Sequence, residues 1–191
     1  MYLKNSFVTI FLIIVLSCQP LEVLKPIEID ISKFDNISIS AKDIELNLKY
    51  NSIFSKNNIE YQIQKSPSDI IMQWHKENIL KIGNENKLIV NILDSSILKN
   101  EIENIDAKKY EEKTIFKYEI FFLVEFELYD NSDILIANTT VETIRSTTSQ
   151  KHISLNETEI IINDLLILAM KDYIKETKNQ LSIYMSDYLG N

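Results

Sequence analysis

The sequence is short of several things that chemistry commonly needs. Its 191 residues include two glycines, one cysteine, one arginine and two histidines. Two glycines cannot supply the Gly-rich loops that cradle phosphates, and no G-x-S-x-G stretch exists to hold a nucleophile. His75 and His152 stand 77 positions apart with no cysteine partner, which makes a poor zinc site. They read as one surface and one boundary histidine. With one cysteine, no disulfide can form within the chain. Lysines are scattered and the formal net charge is −8, whereas a duplex-binding surface needs a basic patch. No catalytic residue, cofactor or metal is therefore expected, and no nucleic-acid partner. The glycine shortage, with abundant isoleucine and asparagine, fits the mutational bias of an AT-rich bacterial genome. Matches such as Asn138-Thr139-Thr140 then carry little weight as glycosylation signals.

What is present begins at the N-terminus. Lys4 precedes a ten-residue apolar run, Phe7 to Leu16. That run is too short to span a bilayer, which takes about 20 apolar residues. It ends in Val15-Leu16-Ser17-Cys18, a stretch that resembles the bacterial lipobox. Residues 1–17 are then a lipoprotein signal peptide, with Val15, Leu16 and Ser17 recognised by the signal peptidase. The Cys18 thiolate takes the diacylglycerol group. Cleavage before Cys18 frees an amine for a further acyl chain. Each buried CH2 contributes roughly 0.8 kcal/mol, and two or more chains give stable anchoring. The alternative is a free cysteine closing an ordinary signal peptide or an uncleaved anchor. Loss of Lys4 would move the net charge from −8 to −9. Gln19 is not the aspartate that favours inner-membrane retention, which points to the periplasmic face of the outer membrane.

Residues 18–26 are the lipidated cysteine and a tether, and 27–191 form one domain. Apolar residues at 45% and charged residues at 25% suit an ordinary globular core. A first strand falls near "FDNISIS", an extended piece at "DIELNLKYNSIF", and a surface loop at "SKNNIEYQIQK". "SPSDIIMQWHKENILKIG" predicts a helix with Ser66 as N-cap, Pro67 at N1 and Asp69 at N3, its apolar face running to Ile82 and stopping at Gly83. Strands are expected around 87–98, over "TIFKYEIFFLVEFELYD", and over "ILIANTTVETIRSTT" with Leu135, Ala137, Val141 and Thr143 inward. Residues 100–112 read as a loop and "DNSD" at 130–133 as a turn. Ser154 to Glu157 matches a capping box opening a long final helix. Its face of Ile162, Leu166, Ala169, Tyr173, Leu181, Tyr184 and Tyr188 continues through about residue 189. The order β-α-β-β-β-α predicts an α+β two-layer sandwich. It has a mainly antiparallel sheet of about four strands with two helices on one face.

This pattern resembles a family of small lipoproteins from alphaproteobacteria. The resemblance rests on "SPSDIIMQWHKENILKIG", "KLIVNILDSSI", "YEEKTIFKYEIFFLVEFELYD", "VETIRSTTSQKHISLNE" and the final "YLGN", and spans about 27–190. Much alanine, arginine and glycine of that family is replaced here by isoleucine, lysine and asparagine. The resemblance implies fold and location, not an activity.

Few residues suggest chemistry. Glu125 and Glu127 fall on one strand face, as a solvated surface or as a carboxylate pair. Arg145 on the next strand would pair with one of them. The tyrosines Tyr173, Tyr184 and Tyr188 read as core residues with wet hydroxyls, or as a lipid or partner surface. The chain is expected to be a non-enzymatic accessory or assembly factor of an envelope complex, held to the membrane by Cys18. The alternative is a lipid- or small-ligand-binding periplasmic module using the groove between helices and sheet.

Overall fold

The computed structural model describes residues 29–190. The expected lipobox residues Val15, Leu16, Ser17 and Cys18, and the tether, lie outside them. The chain order is β1 (Ile37–Ile39), β2 (Asp43–Leu48), α1 (Pro67–Asn78), β3 (Ile79–Lys81), β4 (Lys87–Glu103), β5 (Thr114–Tyr129), β6 (Leu135–Ser149) and α2 (Leu155–Tyr184). Strands β2-β4-β5-β6 form an open sheet in which β2 runs parallel to β4 and the other pairs are antiparallel. Both helices cover one face. The protein is an α+β two-layer sandwich, as the pattern of elements predicts.

Strand β5 dictates which face is covered. Ile120, Phe122, Val124, Phe126 and Leu128 alternate along it and are fully buried, as a half-buried strand requires. Register then assigns Leu88, Val90 and Ile92 of β4 and Val141 of β6 to the same layer. A bulge between Ile92 and Asp94 shifts the phase, so the inward residues beyond it are Ser95, Ile97 and Lys99.

Both helices begin where their caps say. Ser66 Oγ accepts from the Asp69 N–H at 3.1 Å while Asp69 accepts from the Ser66 N–H at 3.2 Å. Ser154 and Glu157 make the same reciprocal pair at 3.2 and 2.8 Å. That contact holds the Glu157 carboxyl below its ordinary range.

Several expected boundaries move. Helix α1 stops at Asn78 rather than Gly83, because Ile79 turns into β3 and pairs parallel with Ile37. Asn78 is spent on that junction, donating to Phe34 O and Asn36 Oδ1. Strand β4 continues to Glu103, five residues past the expected end, because β5 supplies partners as far as Thr114. Leu135 is 44% exposed rather than inward, since a second irregularity sets it opposite Tyr129. Helix α2 ends at Tyr184, which is exposed, and a short 3-10 turn, Ser186–Tyr188, follows.

The two glycines meet at one place. A Cβ on Gly83 would lie 2.9 Å from the Ala41 nitrogen, and one on Gly190 would lie 2.8 Å from Ser38 Cβ. Both let backbone close against β1 and its flank. Here the Ser40 N–H donates to Tyr188 O, the Gly190 N–H donates to Ser38 O, and Ile39 bridges Leu189. Left-handed backbone is instead held by Asn86 (φ 65°) and Asp133 (φ 57°), residue types that tolerate it. The 130–133 turn is closed by Asp130 Oδ1, which accepts from the Ser132 and Ile134 N–H groups at 2.8 and 2.9 Å.

Candidate functional site

The residues singled out for chemistry are drawn into structural contacts. His75 is a buried residue, not a surface one. Its place in α1 turns it toward Phe126 of β5 and Tyr173 of α2, with ring centroids 5.9 and 5.8 Å away. Nδ1 lies 2.7 Å from Ile71 O, so it carries the proton and donates. Nε2 then accepts from the Tyr173 hydroxyl at 2.9 Å. Burial pushes the His75 pKa down to about 4 and raises the Tyr173 phenol above its ordinary range. Tyr173 is thus core without a wet hydroxyl, and the pair is neutral and sealed.

Glu125 and Glu127 project from the uncovered face of the sheet. Asn91 on β4, buried between them, donates through Nδ2 to both carboxylates at 3.0 and 3.1 Å. Arg145 does not pair with either of them. Its register partner is Ile120, which puts it on the helix-covered side, where Nη1 donates to Asp172 of α2 at 2.9 Å. Directly opposed residues share a face, and around Arg145 the register sets odd positions of β6 against even positions of β5, so Arg145 cannot meet Glu125 or Glu127. His152 is exposed and lies 3.7 Å from Glu112. Among the described residues, no cluster of three or more His, Cys, Asp or Glu is arranged to hold a metal ion, and no helix is long and apolar enough to cross a membrane.

A concavity lies at the far end of the helix-covered face. Helix α1 does not reach there. Instead the segment after β2 runs along the free edge of β4: the Ile59 N–H donates to Ile97 O and the Lys99 N–H to Asn57 O. A buried carboxylate fixes that segment. Glu60 accepts from the Tyr50 hydroxyl and from Asn58 Nδ2; burial, and then the Glu60 contact, raise the Tyr50 phenol above its ordinary range. Between this segment and the first two turns of α2 lies a cleft of about 580 Å3. Ile59, Ile63 and Ile162 give it apolar walls, and Lys99 and Tyr118 face it from the sheet. The Lys99 ammonium sits 3.9 Å from the centre of the Phe116 ring, a cation–π contact, and forms no ion pair among the described residues. Tyr118 is 1% exposed, and its hydroxyl has no hydrogen-bond partner among the described residues.

The sequence points to a groove between helices and sheet but not to the residues that line this cleft. Its wall reads as a plain surface loop in the sequence, and Lys99 falls in phase with the core only after the bulge. The available signal was Ile97-Leu98-Lys99 beside Tyr118-Glu119-Ile120, where polar tips interrupt an otherwise apolar inward phase.

No family model matches the chain, and no curated protein matches it. Among solved structures, a minor lipoprotein from Acinetobacter baumannii is similar with a TM-score of 0.40 at 12% identity, over 80% of this chain and 98% of that one. A chain described as a neuraminyllactose-binding hemagglutinin homolog from Helicobacter pylori gives a TM-score of 0.33 at 10% identity, over 82% and 93%. Likeness this remote carries no argument about role.

Proposed function

We propose that the chain is a lipid-anchored protein of the bacterial envelope that binds rather than catalyses, an accessory or assembly factor of an envelope complex. The anchor is Cys18, and the place is the periplasmic face of the outer membrane. One structural observation carries the binding role. The sheet has helices on one face, and among the described residues nothing covers the other. On that open face Phe121 of β5 lies directly opposite Ile144 of β6, which is 58% exposed, with Leu123 half-buried beside them. An exposed apolar strip on a sheet face fits a protein partner better than it fits water.

The test begins with intact mass of the membrane-extracted protein, wild type beside Cys18→Ala. The expected wild-type species starts at Cys18 and carries acyl chains. An unlipidated mature mass removes the anchor from the proposal. A photo-crosslinker at Ile144 should then trap one defined envelope protein that a crosslinker at the opposite-side residue Lys175 does not. Equal trapping by both removes the assigned surface.

A second reading, a ligand-binding module, is favoured by the cleft at Lys99 and Tyr118.

A further inference from the structure

We propose that this cleft holds a small amphipathic molecule with a single carboxylate, of the kind a medium-chain fatty acid represents. The assignment rests on the ligand-binding reading and gives that ligand its chemistry. A cleft of about 580 Å3 lies within the range that small ligands occupy. Its apolar walls, Ile59, Ile63 and Ile162, are themselves largely buried or half-buried, so an apolar body entering there displaces water from surface already shaped for it. Toward the sheet lie two donors. Lys99 offers an ammonium with no carboxylate paired to it, steadied over Phe116 rather than swinging in solvent. Tyr118 offers a hydroxyl inside a residue that is 1% exposed. The Tyr118 hydroxyl is not sealed in the core, where the unpartnered side-chain atoms among the described residues are Asn78 Oδ1 and Thr143 Oγ1; it opens to the cleft, where a carboxylate can accept from it, or from Lys99, in place of water.

The charge count selects the head group. Among the described residues Lys99 is the one cation lining the cleft and Glu159 the one carboxylate, exposed on the α2 side. One cation suits a monoanion. A phosphate, at nearly two negative charges, would meet repulsion from Glu159 with no second cation to offset it. The apolar wall excludes a fully polar anion by the same logic, because it would desolvate charge against isoleucine.

The experiment is equilibrium dialysis of octanoate, octanol and octyl phosphate against the full chain in phospholipid vesicles, with empty vesicles subtracted. Octanoate should bind one to one, and octanol and octyl phosphate more weakly. Lys99→Met should weaken octanoate about tenfold, the scale of a lost charge-assisted hydrogen bond, and Lys99→Arg should retain most of it. Leu155, 90% exposed at the mouth, gives a variant with little effect on folding: Leu155→Asp should also weaken octanoate. Octanol binding as tightly as octanoate, or indifference to Lys99→Met, overturns the carboxylate assignment and leaves the ligand-binding reading standing. Tighter octyl phosphate overturns the choice of head group. Failure of all three ligands to bind overturns both readings.

Discussion

Tyr173 and Tyr118 are both buried at the interface of helices and sheet, yet their hydroxyls are treated oppositely. Tyr173 projects from the middle of α2 and meets His75 on α1, whose other nitrogen is satisfied by its own helix. Tyr118 stands on β5 beyond the reach of α1 and faces a cleft. The difference lies in what covers each. Two packed helices bring side chains close enough to satisfy one another, whereas an irregular segment laid along the β4 edge leaves a gap. A folded core tends to pair its sealed polar groups; the Tyr118 hydroxyl is not sealed but opens to the cleft, so its partner comes from whatever fills that cleft.

Three measurements sharpen this comparison. The largest effect concerns His75. Its folded pKa, about 4, lies below the unfolded value of 6.5. The unfolded chain therefore binds a proton that the folded chain refuses. Stability is fully present above pH 6.5, falls as pH drops toward 4, and loses nothing more from this group below that. At 1.36 kcal/mol per unit, the total is about 3 kcal/mol. Denaturant midpoints of wild type and His75→Gln from pH 7 to 4 should diverge in slope by up to one proton, and parallel curves would refute the buried neutral histidine. Next is the tyrosine pair itself. Tyr173→Phe leaves His75 Nε2 without a donor and should destabilise by about 1–3 kcal/mol. Tyr118→Phe removes a hydroxyl with no partner and should stay within about 0.5 kcal/mol of wild type. Similar losses for both would erase the contrast. The smallest effect belongs to Arg145 and Asp172, whose side chains are each 43% exposed. A double-mutant cycle should return about 0.2–1 kcal/mol of coupling.

How much of this could be read from the sequence follows the same division. The strongest strand was legible because Ile120 to Leu128 alternate without a break, and both helix starts because Ser66-Pro67-Ser68-Asp69 and Ser154-Leu155-Asn156-Glu157 are local signals. Helix ends were less legible. Nothing in "ENILKIG" says that Ile79 is claimed by Ile37, forty-two positions upstream. The bulge at Ile92 was invisible because "LIVNIL" is apolar on both sides of it. Without that bulge the phase of Lys99 is reversed, and with it the cleft floor disappears from view. The expected pairing of Arg145 with Glu125 or Glu127 fails for a related reason: its partner Asp172 is on another element, and face assignment depends on register that spacing alone does not fix.

The clasp at β1 has a consequence for how the domain assembles. Ile39 and Leu189 are paired although 150 positions separate them, and closing so long a loop costs entropy before any contact is gained. The sheet from β4 to β6 can form from neighbours in sequence, but β1 cannot acquire its second partner until the tail past α2 has been made and has returned. The domain is thus closed by a drawstring whose two ends come from near both limits of the described residues. A chain cut a few residues short loses its grip at the opposite end of the sequence.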